Sequence, residues 1–289
     1  MALSESLSAP SSVELEQGTI GYRERGSGPP IVFVHGLLVN ADLWRQVAPQ
    51  VADAGFRCIT PDWPLGAHEL PMRESADLSP PGMAATIADF LAALDLTDVT
   101  LVANDTGGAL VQILMAQRPE RVTRIVLTSC DSLERFFPPI FRPLSLLAHV
   151  PGSMWPVTQS LRLRALHRLP IVLGWVAKRP IPDEITDSYL RPARTHPGVR
   201  RDLRRFLRGV HRRHTLAAAK EFPQFRHPVL LVWAEEDRLF PVSLARRIEE
   251  LLPNAEVRLV SDSYTFIPED QPMMLGDLIV EFVESDRAS

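Results

Sequence analysis

The sequence predicts an α/β protein with a mostly parallel sheet covered by helices on both faces. From residue 12 onward, short runs typical of strands alternate with longer helical patterns, which favours such a sheet. Several of the runs are apolar almost throughout, as expected for strands buried on both sides. The eight candidate strands are Val13–Glu16, Thr19–Glu24, Ile31–Val34, Arg57–Thr60, Val99–Ala103, Arg124–Thr128, Val229–Trp233 and Glu256–Val260.

Helical patterns lie between and after these runs. They cover residues 79 to 94, 107 to 117, 242 to 252 and 272 to 284, and the first begins with prolines, as helices often do. The stretch from 133 to 221 breaks the alternation, because it is rich in proline and arginine and contains no convincing strand. We predict a core domain formed by residues 1–132 and 222–289, with residues 133–221 inserted as a helical lid.

The predicted core and lid carry opposite net charges. The lid has 17 Lys and Arg against 6 Asp and Glu, a net charge of +11, whereas the 289-residue chain has 31 against 35 and a net charge of -4. The chain as a whole lacks the basic excess of a nucleic-acid-binding protein, so we expect no nucleic-acid partner. Within the lid, Arg200, Arg204, Arg208 and Arg212 recur every four residues, which predicts an amphipathic helix with a basic outer face. We interpret this face as solvated, and the alternative is attraction of an anionic substrate, an acidic carrier partner or an anionic membrane surface.

The cysteines and the hydropathy of the chain indicate in which cellular compartment the protein is expected. Cys58 and Cys130 both lie in apolar runs predicted to be buried strands, which favours reduced core thiols over a disulfide or a metal site. The first 17 residues include acidic side chains and no apolar segment, and no stretch has the roughly 18 apolar residues that a membrane span requires. We expect a soluble, cytoplasmic protein without a transmembrane segment.

A strand, a tight turn of small residues and a helix are predicted for residues 101–122, LVANDTGGALVQILMAQRPERV, with Asp105 at the turn. The apex of a nucleophile elbow has a strained backbone, so the positions two before and two after it must be small. Here those positions are Ala103 and Gly107. Asp237 lies just past the end of a predicted strand, where the acid of a catalytic triad would be found.

Backbone N–H groups near the turn are candidates for an oxyanion hole. The predicted strand Ile31–Val34 runs into His35 and a glycine, so the N–H groups of Leu37 and Thr106 are the two candidate donors. We predict that His35 packs beside this loop, and we count it with Asn104 among the candidate binding residues.

In this order the motifs resemble the α/β-hydrolase family over essentially the whole chain. More narrowly, they resemble the branch with an aspartate nucleophile, which contains haloalkane dehalogenases, fluoroacetate dehalogenases and epoxide hydrolases. The motifs are HG at 35–36, PDWPLGAH at 61–68, NDTGG at 104–108, a lid insertion, the acid at 237 and EDQP at 269–272. The resemblance implies the α/β-hydrolase fold with an eight-stranded sheet, Asp105 as the nucleophile and Asp237 as the orienting acid.

The general base of this family, a histidine between the last strand and the last helix, has no counterpart in the chain. Alignment on Phe266 puts Tyr264 and Thr265 at that place, and no histidine follows residue 227. Hydrolysis of an aspartyl ester needs a base, and a threonine hydroxyl cannot act as one near neutral pH. By its position in the PDWPLGAH loop, His68 is the best substitute among the histidines.

Specific marks of the three named activities are also absent. Haloalkane dehalogenases have a tryptophan directly after the nucleophile, where this chain has Thr106, and Leu37 replaces the polar residue that often follows HG. The arginines around the elbow of fluoroacetate dehalogenases are missing. Epoxide hydrolases use two lid tyrosines, whereas this lid has only Tyr189. We therefore expect none of these activities in its usual form.

The lid contributes candidate pocket residues. Trp155, Trp175 and the apolar run IVLGWV at 171–176 predict an apolar roof, and Tyr264 beside Thr265 is a further candidate for binding.

Three functions remain open at this point. The first is an enzyme that acts on an apolar or partly anionic small molecule, with Asp105 as nucleophile or general base. The second is a catalytically silent protein that binds a ligand or a partner, and the third is a cofactor-free lyase or isomerase. No glycine pattern for nucleotide binding and no metal-ligand cluster is present in the sequence, so no cofactor is expected. The sequence does not define an oligomeric state.

Overall fold

A computed structural model describes residues 5–288 and contains one eight-stranded sheet. The strand order is β1-β2-β4-β3-β5-β6-β7-β8, in which β2 pairs antiparallel with β1 and β4 and all other pairs are parallel. The strands are β1 (Pro10–Leu15), β2 (Gly18–Arg25), β3 (Pro30–Val34), β4 (Arg57–Pro61), β5 (Val99–Asp105), β6 (Val122–Cys130), β7 (Val229–Ala234) and β8 (Ala255–Val260). The predicted fold class is confirmed. The first four residues of the N-terminal stretch, in which we expect no apolar segment, lie outside the described residues.

Twelve α-helices are found in the part of the chain that the structure describes. They are α1 (Val47–Asp53), α2 (Pro80–Ala93), α3 (Thr106–Gln117), α4 (Arg142–Leu147), α5 (Met154–Ser160), α6 (Arg164–His167), α7 (Asp183–Thr195), α8 (Pro197–Gly209), α9 (Arg213–Ala219), α10 (Val242–Leu251), α11 (Ile267–Asp270) and α12 (Pro272–Ala288). α1 packs on α12, and α2 packs on α3. Because the crossovers β3-α1-β4 and β5-α3-β6 run in opposite directions along the sheet, α1 and α3 cover opposite faces.

The local sequence explains the start of α2. The Ser79 side chain accepts a hydrogen bond from the backbone N–H of Gly82, and two prolines occupy the first turn, where no N–H is needed. The sequence pattern does not indicate α1, which has Pro49 in its first turn.

Residues 133–221, called the lid segment below, form helices α4 to α9, a π-helical turn at Pro170–Gly174 and no strand. The helical character predicted for this segment is therefore correct. The segment enters after β6 and returns before β7, so it is attached where two neighbouring parallel strands end and begin.

The prediction for the arginine repeat of the lid segment is wrong in part. Helix α8 ends at Gly209, so Arg212 lies outside it. The arginines are also not simply solvated, because Arg200 Nη1 donates to the carbonyl oxygen of Ala193 and Arg204 Nε donates to that of Ala148 over 2.8 Å. These side chains fasten neighbouring helices of the lid segment, since a guanidinium group satisfies carbonyl groups left free at helix ends.

A buried ion pair of the core accepts a hydrogen bond from the lid segment. Arg45 donates two hydrogen bonds to the Glu269 carboxylate, at 2.6 and 2.7 Å, and the Tyr189 hydroxyl donates to the same carboxylate over 2.7 Å. The Arg45 and Glu269 side chains are only 11% and 4% exposed. Tyr189, the lid tyrosine, is thus engaged in this junction.

We predict that Glu269→Gln lowers the free energy of unfolding by about 3 kcal/mol, because it leaves the Arg45 guanidinium buried without a counter-charge. Urea denaturation measures the change. A matched control is Glu24→Gln, which breaks a bidentate pair with Arg57 that is 33% exposed on both sides and should cost less than about 1 kcal/mol. Equal losses of unfolding free energy in the two variants would contradict the inference that burial makes the Arg45–Glu269 pair important for stability.

Candidate active site

Asp105 lies at the turn from β5 to α3, with φ +53° and ψ -128°. This backbone conformation is strained for a residue with a side chain and costs about 1 to 3 kcal/mol. Its surroundings require glycine. A Cβ atom at Gly36 would lie 2.2 Å from Asp105 Oδ2, one at Gly107 would lie 2.4 Å from the Val34 carbonyl oxygen, and one at Gly108 would lie 2.4 Å from Cys130 Sγ.

Both backbone donors predicted for the oxyanion hole lie at the Asp105 side chain. The Leu37 N–H donates to Asp105 Oδ2 over 3.3 Å, and the Thr106 N–H also hydrogen-bonds the carboxylate. The two donors come from the loop after β3 and from the first turn of α3, which meet because β3 and β5 are paired in the sheet. Any anionic oxygen or leaving group that replaces this carboxylate oxygen would meet the same two donors.

Three aspartates follow three adjacent parallel strands, and of these Asp131 is buried whereas Asp105 and Asp237 are half-buried. Asp105 ends β5, Asp131 follows β6 directly, and Asp237 lies in the loop after β7. Asp131 is missing from the predicted site. A signal for it was available, because it comes three residues after the predicted strand Arg124–Thr128, at the same sheet edge as the other two aspartates. Its N–H donates to the Asp105 carbonyl oxygen over 3.3 Å, and the Thr106 hydroxyl donates to its Oδ2 over 3.1 Å.

Burial controls the titration of these carboxyls. The pKa of Asp105 is raised to about 6, mainly by burial and also by the charge of the nearby Asp237. The hydrogen bonds from Thr106 and Leu37 act in the opposite direction. Burial likewise raises the pKa of Asp237 to about 6. The pKa of Asp131 is raised well above its usual range by burial and by the charge of Asp105. A neutral Asp131 beside an ionised Asp105 is the arrangement these shifts favour near neutral pH.

Thr265 lies beside Asp237, where the predicted alignment puts the family histidine. Its hydroxyl donates to Asp237 Oδ1 over 3.1 Å, and the same oxygen accepts the backbone N–H groups of Leu239 and Phe240 over 2.7 and 2.8 Å. Asp237 Oδ2 is buried and has no hydrogen-bond partner among the described residues. The carboxylate is therefore held through Oδ1, and the only side chain that donates to this oxygen within the described residues is the hydroxyl of Thr265.

The prediction that His68 replaces the family base disagrees with its placement. His68 Nε2 lies 3.3 Å from Oδ2 of Asp202 in α8, and its Nδ1 accepts the Gly66 N–H over 3.4 Å. Asp202 also accepts the Met72 N–H over 2.7 Å. His68 does not line the pocket above Asp105. It instead links the PDWPLGAH loop to the lid segment, because a buried imidazole and a buried carboxylate satisfy each other there.

His35 and Asn104 are structural groups and not pocket residues, contrary to their predicted contribution to binding. His35 Nδ1 lies 2.9 Å from the Gly36 carbonyl oxygen, and its Nε2 accepts the Trp63 N–H over 2.8 Å. These partners fit a neutral imidazole with the proton on Nδ1, and burial lowers the pKa of His35 to about 4. His35 thus packs beside the predicted oxyanion loop, as expected.

Asn104 connects the elbow to the loop of Thr265. Its Nδ2 donates to the Thr265 carbonyl oxygen over 2.8 Å and to the Thr128 hydroxyl over 2.9 Å. The residue next to Asp105 is thereby tied to the residue that contacts Asp237. These two hydrogen bonds connect the end of β5 to β6 and to the loop that contains Thr265.

A cavity of about 330 Å³ opens above Asp105 and is almost entirely apolar. From the core it is lined by Leu37, Leu38, Asp105, Thr106 and Phe266, and from the lid segment by Phe137, Ile140, Phe141, Pro143, Leu144, Leu147, Val157, Ser160, Leu161, Ile171, Val172, Leu173, Val176 and Leu190. Four residues of the run 171–176 are among them, so the predicted apolar roof is present. No Lys, Arg or His lines the cavity, which favours a neutral ligand over a partly anionic one.

The predicted aromatic pocket residues lie elsewhere. Trp155 is 60% exposed, Trp175 is half-buried against the core, and neither lines the cavity. Tyr264 also lies outside it, with the Arg238 guanidinium 4.4 Å from its ring centroid. Trp155 does not face the cavity because residues two positions apart point in different directions from a helix, and on α5 it is Val157 that lines the cavity.

The described residues contain no group of three His, Cys, Asp or Glu side chains that could hold a metal ion. In residues 5–288, no helix has the length and apolar character that crossing a membrane requires.

Comparisons with known proteins agree with this architecture. The family described as alpha/beta hydrolase fold matches residues 29–154. An uncharacterized hydrolase of Bacillus subtilis strain 168, YugF, is 27% identical over 88% of this chain and 89% of its own length. Haloalkane dehalogenase 2 of Mycobacterium bovis is 25% identical over 92% of this chain and 91% of its own. The crystal structure of haloalkane dehalogenase DbeA from Bradyrhizobium elkani USDA94 superposes with a TM-score of 0.79, at 21% identity, over 97% of this chain and 99% of that one.

The chain therefore has the α/β-hydrolase fold, and its relatives include haloalkane dehalogenases. The structural likeness, at 21% identity, defines the fold alone.

We predict that Asp105→Asn stabilises the protein at pH 8 by about 3 kcal/mol. A carboxyl whose pKa is raised to about 6 in the folded state costs stability once it is ionised, above pH 6, and the cost disappears below its unfolded pKa of about 4. The gain should therefore vanish as the pH falls from 6 to 4. Urea denaturation across this range measures it. In the control Glu74→Gln, at a carboxylate whose side chain is 91% exposed, no such pH-dependent gain is expected, and a loss of stability in Asp105→Asn at pH 8 would contradict the prediction.

Proposed function

We propose that this protein is an enzyme that uses Asp105 as a nucleophile towards an electrophilic carbon of a neutral, apolar small molecule. The observation that carries the proposal is the Asp105 carboxylate on a strained turn, next to two backbone N–H donors and below an apolar cavity. Relatives named haloalkane dehalogenase support chemistry at carbon. The strain also supports it, because such a conformation is retained where it serves a site.

The reaction proposed is a displacement. An Asp105 oxygen forms a bond to the substrate carbon, the bond from that carbon to its leaving group breaks, and the leaving group takes the electron pair. The product is an aspartyl ester. The N–H groups of Leu37 and Thr106 lie where they would stabilise the negative charge of an oxygen during later hydrolysis of this ester.

Hydrolysis of the ester is the step for which the chain is poorly equipped. Water must lose a proton as it attacks, and the hydroxyl of Thr265 cannot accept one near neutral pH. Asp237 is present and oriented, but no histidine lies among the cavity residues to connect it to water. We therefore propose that turnover on simple alkyl halides and esters is slow.

We also propose that the lid segment, residues 133–221, acts as a lid domain on a core of residues 1–132 and 222–289. In support, it supplies most of the side chains around the cavity. A cytoplasmic location remains a proposal, supported by Cys58 and Cys130, which are buried and unpaired.

Two alternative functions have specific support. The raised pKa of Asp105, about 6, suits a general base, which favours a cofactor-free lyase or isomerase that forms no ester. The engagement of His35 and His68 in structural contacts favours a catalytically silent protein that binds an apolar ligand.

We expect an apolar alkyl halide or epoxide to leave a stable adduct on Asp105, seen as a mass increase of the intact protein and located by peptide mapping. Displacement requires the ionised carboxylate. Since the pKa of Asp105 is about 6, the rate of adduct formation should rise about tenfold per pH unit up to pH 6 and level off above about pH 7. Asp105→Asn should acquire no adduct. An adduct located on another residue, or none on any, would refute the nucleophile.

Thr265→His should convert the stable adduct into a turnover intermediate. An imidazole at this place would donate an orienting hydrogen bond to Asp237 and accept a proton from water, which typically accelerates such a step by about 10² to 10⁴. The measurement is the rate at which the adduct mass disappears. Thr265→Gln, which is similar in size but not basic, is the matched control, and equal decay in both variants would contradict the assignment of this position.

A further inference from the structure

Exposed apolar side chains are concentrated in one part of the lid segment. Seven of the thirteen large apolar residues that are exposed in the described chain lie within residues 146–171. They are Leu146, Leu147, Val150, Trp155, Leu163, Leu169 and Ile171. Isolated exposed apolar residues are common, but a concentration of this kind indicates a surface that contacts another apolar phase. We call residues 146–171 the apolar patch.

The apolar patch lies in a stretch without acidic residues. From residue 135 to 182 the chain has seven Lys and Arg and no Asp or Glu. Arg162 and Arg168 are exposed, and no ion-pair partner of either is found in the described part of the chain. This charge pattern favours an anionic counterpart.

A groove of about 330 Å³ next to the apolar patch is lined by Arg164, Arg168, Lys178 and Arg179, with Asp183 as the acid among its lining residues. Some of this charge is already compensated. Arg164 pairs with Asp183, and Lys178 and Arg179 pair with Asp262. Arg168 therefore supplies the uncompensated charge of the groove.

The apolar patch is continuous with the cavity above Asp105. Leu147 and Ile171 are exposed on the patch and also line the cavity, and Leu173 lines both the cavity and the basic groove. An apolar path thus leads from the surface of the lid segment to the carboxylate. A partner that covers Leu147 and Ile171 therefore contacts two side chains of the cavity wall.

We propose that the apolar patch docks on the surface of an anionic phospholipid bilayer. Leu146, Trp155 and Leu163 would enter the interface, and Arg162 and Arg168 would meet the phosphate groups, as in other surface-bound proteins. A second copy of the chain fits less well, because a twofold contact through the patch would place two basic surfaces against each other. The docking goes beyond the proposed chemistry and does not depend on it, although it would bring a lipid-dissolved substrate to the cavity.

The test is co-sedimentation with vesicles of phosphatidylcholine alone and with vesicles that also contain phosphatidylglycerol. We expect binding to the anionic vesicles that weakens with salt. Leu146→Ser combined with Leu163→Ser should weaken it by at least about tenfold. Each of Arg162→Gln and Arg168→Gln should weaken it by about fivefold. The matched apolar control is Met273→Ser with Met274→Ser, two exposed residues of α12 outside the lid segment, which should leave binding unchanged.

Fluorescence gives an independent readout. Trp44, Trp63 and Trp233 are fully buried and Trp175 is half-buried against the core. A blue shift on addition of anionic vesicles should therefore come from Trp155, disappearing in Trp155→Phe and persisting in Trp175→Phe. Asp105→Asn should bind vesicles like the unchanged protein, which separates docking from the proposed chemistry. Absence of binding to anionic vesicles, insensitivity to the leucine substitutions, or inorganic phosphate abolishing binding at matched ionic strength would overturn the proposal. So would a stable dimer in solution that the leucine substitutions dissociate.

Discussion

The strained backbone conformation of Asp105 depends on a close approach between three segments of the chain. A residue with a side chain occupies the left-handed region only when its neighbours hold it there. The neighbours are the loop after β3, the first turn of α3 and the end of β6, which touch at Gly36, Gly107 and Gly108. Each of these positions has no room for a Cβ atom. The same approach brings the Leu37 N–H to the carboxylate, so the strain and the electrostatics of the site have one geometric cause.

Burial then decides how the carboxyls behave. Asp105, Asp131 and Asp237 follow adjacent strands, and the apolar cavity and the sheet limit the hydration of all three carboxyls. The charged form of a buried carboxyl is disfavoured, and each ionised neighbour disfavours it further. Such a group of acids reduces the stability of the folded protein near neutral pH, and that cost is typical of sites kept for function.

The chain has eight histidines, but the two that lie near the elbow in the sequence motifs, His35 and His68, are occupied by structural contacts. His35 is neutral between a carbonyl oxygen and the Trp63 N–H, and His68 is held by Asp202 of the lid segment. Both are buried and hydrogen-bonded, so neither is free to take a proton from water at Asp105. Together with the hydrogen bond from Tyr189 to Glu269, the contact of His68 with Asp202 fixes the lid segment on the core. These polar contacts position the roof of the cavity.

Much of the fold followed from local pattern. Short runs typical of strands, several of them apolar almost throughout, predicted all eight strands, and the small residues around Asp105 predicted the elbow, because strand burial and steric limits act on neighbours in sequence. The place of Thr265 beside Asp237 was predicted from the resemblance to the family, by alignment on Phe266. The sequence missed Asp131, although the strand before it was predicted.

The tertiary structure decided which side chains face the cavity. Trp155, Trp175 and Tyr264 were expected there, but the phase of short helices and the packing of loops turned them away, and Phe137, Phe141 and Leu190 took part instead. The partner of His68 could not be predicted from local sequence either, because Asp202 lies 134 residues further along the chain. Local sequence determines where strands, turns and their polar ends lie. Contacts between distant segments decide orientation and partners, because they depend on how the lid segment packs on the core.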